Sequence, residues 1–249
     1  MKTEARAVLR TILPLSTRRS IIRYTRWPPI GRVRFGDLRR LHPISPDWGS
    51  ERGKPIDRYY IEKFLANHAA EIRGHVLEIG DNTYTARFGG NRVTKLDVLH
   101  VAEEKPGVTI LGDLTDGQNI HSNTYDCVIL TQTLQTIFDV SSAIRTVCRI
   151  LKPGRVVLAT VPGISKVSRY DMDRWGYYWS FTTQSARRLF EQVFQPELIH
   201  VEAHGNVLAS AAFLFGLSTE ELSQRELDYI DPDYELLITI RATKSLTNT

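Results

Sequence analysis

Acidic residues stand at or near the ends of three successive apolar runs. HVLEIG carries Glu78 and closes on Gly80, VTKLDV carries Asp97, and VTILGDL closes on Gly112, Asp113 and Leu114. A fourth run, YDCVILT, leads into Thr131, Gln132 and Thr133. A carboxylate at the end of a second strand can accept both hydroxyls of a ribose. A further one along the same edge can accept from an adenine amino group. Such a row suits an adenosine without a 2′-phosphate. The loop after Gly80 reads Asp81, Asn82, Thr83, Tyr84 and Thr85, with no second glycine before Gly89. A pyrophosphate needs several glycines so that backbone N–H groups can approach it. The loop therefore argues against a dinucleotide more strongly than against S-adenosylmethionine, which has a carboxylate, an ammonium and a sulfonium but no phosphate.

The elements that must hold this row alternate. PIDRYYIEKFLANHAAEI has helical spacing, with Asp57 able to cap its start. The runs HVLEIG, VTKLDV, VTILGDL, YDCVILT and RVVLATVP read as strands buried in a parallel sheet. DVSSAIRTVCRIL is an amphipathic helix stopped at Lys152, Pro153 and Gly154. TTQSARRLFEQVF is a helix capped by Thr182 or Thr183, and LIHVEAHGN is a strand. NVLASAAFLFGL is a helix, Ser218 and Glu221 form a capping box that opens another, and YELLITIRATK is the last strand. Only 12 residues separate Gly80 from Val93, so the first crossover helix has about two turns. The expected fold is α/β, a doubly wound, mostly parallel seven-stranded sheet. Such sheets bind ligands beyond the carboxyl ends of their strands.

Composition narrows the class. A hydrophobic content of 42% and a charged content of 24% suit a soluble globular chain with a sizeable core. The two cysteines, Cys127 and Cys148, sit inside apolar patterns and read as buried thiols of a reducing compartment. No cluster has metal-ligand spacing. The apolar patch VLRTILPL is interrupted by Arg10 and too short for a leader or a membrane span, which points to the cytoplasm. Residues 1–54 hold 13 Lys and Arg against four Asp and Glu, on a chain of net charge +4. We expect a basic N-terminal extension over residues 1–56, with helices near 3–12 and 17–26, and a catalytic domain over 57–249. The basic arm would suit nucleic acid, acidic lipid headgroups or a phosphate-bearing carrier, or would lie on the acidic body.

These motifs carry a resemblance. VLEIG, LDV, GDL, YDCVILTQTLQTIFD and LKPGRVVLATVPG, spread over residues 57–243, resemble the class I S-adenosylmethionine-dependent methyltransferases. EIGDNTYT and the later YWSFT are similar to a bacterial subgroup linked to glycan or secondary-metabolite methylation. The resemblance implies S-adenosyl-L-methionine as cofactor. It implies that Glu78, Gly80 and Asp81 line the methionine part, Asp97 and Val98 the ribose, Asp113 and Leu114 the adenine, and Thr131 and Gln132 the sulfonium.

An acceptor would sit by SKVSRYDMDRWGYYWSFT, where Trp175, Tyr177, Tyr178 and Trp179 could stack on a sugar or a planar ring. Asp171, Asp173 and His204 are candidate bases for proton removal from a hydroxyl. Gln135 could orient an acceptor but cannot take its proton. The leading expectation is O-methylation of a sugar, glycolipid or secondary metabolite. A nucleic-acid methyltransferase using the basic arm and a non-catalytic scaffold are the alternatives, with a dehydrogenase a distant fourth.

Overall fold

The computed structural model describes residues 14, 17, 27–102 and 107–246. The helices expected near 3–12 and 17–26 fall on residues outside this set, Thr17 apart. The chain divides into two compact units, residues 1–41 and 42–249. In the first, Gly36–Leu38 forms a 3-10 turn and Arg39 lies over the Phe35 ring. The second begins 15 residues before Asp57 because residues 42–56 pack on the body: Ile44 N donates to Phe215 O, and Lys54 N donates to Glu220.

The second unit is built on one seven-stranded sheet. The strands are β1 (Gly74–Ile79), β2 (Val93–His100), β3 (Ile110–Leu111), β4 (Tyr125–Thr131), β5 (Leu151–Pro162), β6 (Ile199–His204) and β7 (Leu237–Thr243). Their order is β3-β2-β1-β4-β5-β7-β6. The first five are parallel, and β7 runs antiparallel to both neighbours. The doubly wound, mostly parallel sheet expected from the alternating runs is the observed fold. Carboxyl ends of β1 to β5 thus gather along one edge, where the order reverses between β1 and β4.

Two apolar layers hold the sheet. On one face lie α3 (Val140–Ile150) and α5 (Thr183–Phe190), packed on Leu77, Val128, Leu130 and Val157. On the other lie α1 (Ile56–Asn67) and α6 (Val207–Phe215), packed on Val76, Ile129 and Leu158. Burying each such aliphatic side chain contributes roughly 1.5–3 kcal/mol before entropy is counted. The remaining helices are short: α2 (Thr83–Phe88), α4 (Arg169–Arg174) and α7 (Gln224–Asp228).

Local details depart from expectation where neighbours decide. Pro55, not Asp57, precedes the first turn of α1, so Asp57 is already inside the helix. The stop at Lys152 comes two residues late: α3 ends at Ile150 and Leu151 already pairs with Tyr125. The Ser218 and Glu221 box closes only a 3-10 turn, and a second box at Ser223 and Glu226 opens α7. The Thr182 cap of α5 holds, with Ser185 answering it. Among the described residues no helix is long and apolar enough to cross a membrane.

Candidate active site

A cleft of about 1320 Å³ opens at the carboxyl ends of the parallel strands. Gly80, His100, Gly112, Thr131 and Pro162 line it, one from the exit of each of β1 to β5. Its size exceeds the roughly 300–1,000 Å³ of a single-ligand pocket.

The β1 exit is built by carboxylates. Glu78 is fully buried, with Oε1 accepting from Tyr84 N at 3.0 Å and Oε2 from Thr85 N at 2.7 Å. Burial raises its carboxyl above the usual range, and the Thr85 and Tyr84 donors only partly oppose that. Asp81 Oδ1 accepts from Thr83 N at 2.9 Å. The leading N–H groups of α2 are therefore satisfied by the chain's own side chains. Gly80 has φ +97°, and a Cβ there would meet nothing within 4 Å. Its need for glycine lies in the backbone angle, and it leaves open cleft beside the chain. Tyr84 is buried in the cleft wall, and its hydroxyl accepts from Arg58 Nη1 at 2.5 Å.

Asp97 and Val98 do not line the cleft. β2 continues to His100, and register places Leu77 beside Asp97 and Ile79 beside Leu99. Asp97 is thus well below the strand exit, bonded to His75 Nε2 at 2.6 Å and to the Tyr125 hydroxyl at 3.1 Å. Burial alone would raise its carboxyl, but His75, Tyr125 and Lys95 outweigh that and hold it low. Asp97, expected at the ribose, thus lies outside the cleft lining, and His100 occupies the β2 exit. The His100 ring meets Trp175 edge-on, 5.7 Å between centroids, so the two face each other at the cleft wall.

Asp113 and Leu114 do line the cleft, as do Thr131 and Gln132. Asp113 is exposed, with Oδ1 accepting from Thr115 N at 2.8 Å. Gln132 adopts φ +48°, uncommon without glycine, and its N–H donates to Thr160 O.

The candidate bases separate. His204 is absent from the cleft lining: its ring stacks on Tyr60 at 5.6 Å, with Nε2 2.9 Å from Thr239 Oγ1, and burial lowers its pKa. β6 is the sheet's far edge strand, which takes His204 away from the parallel exits. Asp173 points outward on α4 and pairs with Arg169 at 3.1 Å. Neither of these expected proton acceptors is among the residues that line the cleft. Gln135 does reach the cleft, buried to 4%. Its Nε2 donates to Gln132 O at 2.8 Å, and its backbone O accepts from Tyr178 N at 2.8 Å. It braces the β4 exit to the aromatic segment. Trp175, Tyr177 and Tyr178 line the cleft; Trp179 stays outside, bonded to Ile137 O.

Sequence reasoning missed Asp57 and Arg58 as cleft residues. Asp57 faces the cleft from α1, and burial raises its carboxyl against the lowering effect of Arg58. Nothing in PIDRYY distinguishes a cleft-facing first turn from an ordinary helix start. Summed over the described lining, seven carboxylates (Asp47, Asp57, Glu78, Asp81, Asp113, Asp139, Asp171) meet two guanidinium groups, Arg58 and Arg174.

Residues 80–159 match a family model described as a methyltransferase domain. No curated protein sequence matches the chain. Among solved structures, an S-adenosylmethionine-dependent methyltransferase from Thermotoga maritima is 19% identical, with TM-score 0.52 over 79% of this chain and 95% of that one. The N-methyltransferase NodS from Bradyrhizobium japonicum, in complex with S-adenosyl-L-homocysteine, is 13% identical, with TM-score 0.52 over 81% and 93%. The [4+2]-cyclase SpnF is 15% identical, with TM-score 0.51 over 84% and 89%. The fold is thus the Rossmann-like fold of S-adenosylmethionine-dependent methyltransferases, and residues 80–159 are similar to a methyltransferase domain. One fold hosting a cyclase as well leaves the acceptor to be argued from the site.

Proposed function

We propose that this methyltransferase-fold enzyme uses S-adenosylmethionine to methylate a hydroxyl of a sugar, glycolipid or secondary metabolite. The observation that carries the cofactor reading is the charge of the cleft. Seven carboxylates against two guanidinium groups suit a ligand bearing a sulfonium and an ammonium. The same excess opposes the pyrophosphate of a dinucleotide and a polyanionic acceptor such as nucleic acid. The open backbone at Gly80 supports the fit, since a ligand can lie against the chain there.

In this reading Gly80, Asp81 and the backbone fixed by Glu78 face the methionine part, and His100 takes the ribose edge. Asp113 and Leu114 face the adenine, and Thr131 and Gln132 border the reacting carbon. Bound S-adenosylmethionine would supply an electrophilic methyl group. The chain's own task is to place an acceptor oxygen in line with it and take up the hydroxyl proton. Tyr177 and Tyr178 offer the acceptor ring faces, and Gln135 holds their segment in place. Asp57 is the proton acceptor best suited to that task, a cleft carboxylate whose basicity is raised by burial. Neutral hydroxyl acceptors fit an acidic cleft better than carboxylates or phosphates do. The EIGDNTYT loop and the subgroup it resembles support a glycan or secondary-metabolite acceptor.

Calorimetric titration tests the cofactor half. S-adenosylhomocysteine should bind at micromolar concentration and NAD should not; tight NAD binding without S-adenosylhomocysteine binding would sink the reading. A panel of hydroxyl, amine and carboxylate acceptors, followed by mass spectrometry for one added methyl, tests the oxygen.

A further inference from the structure

Resting on that cofactor reading, we infer that the Arg58 guanidinium binds the carboxylate of the cofactor's amino-acid end. In a glycine-rich loop, free N–H groups at the start of the following helix receive an anion. Here they are taken. Thr83 N donates to Asp81, Tyr84 N and Thr85 N donate to Glu78, and Ala86 N donates to Asn82 O. An anion entering beside Gly80 finds no unoccupied backbone donor on the first turn of α2. It must be met by a side chain, among walls that are mostly carboxylate.

Arg58 meets that need by position and by its partners. It lines the cleft from the first turn of α1 and remains exposed there. Its Nη1 donates to the Tyr84 hydroxyl at 2.5 Å, which ties the head group to α2 just past the Gly80 loop. Arg87, Arg155 and Arg241 each meet a carboxylate. Among the described residues no carboxylate lies within ion-pair distance of the Arg58 guanidinium, whose one hydrogen-bond partner is the neutral Tyr84 phenol; Asp57 and Asp81 act on its charge only from further off. The edge bearing Nε and Nη2 is therefore spare for a two-pronged contact with a carboxylate. Arg174, the other cleft guanidinium, lies 3.6 Å over the Tyr170 ring and donates to Tyr170 O, on the α4 rim. A side chain thus does at this loop what glycines and free amides do elsewhere.

The test is calorimetric titration of the full chain with two nucleosides, S-adenosylhomocysteine and 5′-methylthioadenosine, which lacks the amino-acid end. Arg58→Met should weaken S-adenosylhomocysteine at least about ten-fold, as loss of a charge-assisted hydrogen bond does. It should leave 5′-methylthioadenosine binding unchanged, which also shows that the variant is folded. Arg58→Lys, keeping charge but not the fork, should recover part of the loss. Equal weakening of both nucleosides, or none of either, would overturn the Arg58 assignment while leaving the cofactor reading intact. Failure of the wild-type chain to bind S-adenosylhomocysteine would overturn the cofactor reading itself.

Discussion

His75 Nε2 lies 2.6 Å from Asp97 Oδ2, joining the start of β1 to the middle of β2, short of the strand exits that border the cleft. The Tyr125 hydroxyl completes the contact from β4. Three strands are thus tied below the site by one carboxylate. Asp97→Asn should cost about 1–3 kcal/mol of stability while S-adenosylhomocysteine affinity stays unchanged. Because the folded carboxyl is held below its unfolded value, its contribution is complete above the unfolded pKa and fades as pH falls through the folded one. Urea melts of wild type and variant should therefore converge in acid. A variant that melts normally but loses the ligand would restore Asp97 to the site.

His100 stands where the β2 carboxylate was expected. His100→Ala should weaken S-adenosylhomocysteine by roughly ten-fold, about 1.4 kcal/mol for one lost hydrogen bond. Trp175 fluorescence, in a chain whose other tryptophans are replaced by phenylalanine, should report that titration, since the two rings meet edge-on. Unchanged affinity would remove His100 from the ribose edge.

Asp57 offers the sharpest test of proton removal. Asp57→Asn should lower kcat on the acceptor found by screening by about 10²-fold or more, with S-adenosylhomocysteine affinity held. Asp173→Asn and His204→Gln, both outside the cleft, should leave kcat near wild type. A full loss in either would contradict the positions described above.

Gly80→Ala separates backbone strain from lost space. No atom waits within 4 Å of the added methyl, yet φ is +97°. The variant should lose about 1–2 kcal/mol in thermal melts, and nucleoside binding should weaken as the methyl enters the cleft. Full stability and full binding together would show that the loop relaxes at no cost.

The sheet was legible because each strand lies in an apolar run bounded by polar turns, and because helices carry the chain from β1 to β2 and from β4 to β5. The place of Gly80, Asp113, Leu114, Thr131 and Gln132 at the strand exits was legible for the same reason: they follow runs whose ends are plain. Asp97 was not, because VTKLDVLH stays compatible with a strand on both sides of its one carboxylate. Where that strand stops is decided by its register with β1, a contact far away in sequence. His204 and Asp173 lie outside the cleft lining for a different reason. A strand end reveals no more than that a residue lies at one edge of the sheet, and β6 lies at the far flank, beyond the antiparallel β7. Arg58 and Asp57 belong to a helix whose pattern announces a buried face but not which end overlooks a cleft.

The place of β7 also bears on how the chain is made. β6 pairs with β7, and β7 fills the gap between β6 and β5. During synthesis β6 leaves the ribosome before the strand that will hold it. Until β7 arrives, the outer side of β5 is a bare edge able to pair with other chains. In the interval between those two strands the nascent chain therefore carries an unpaired strand edge that the finished fold covers.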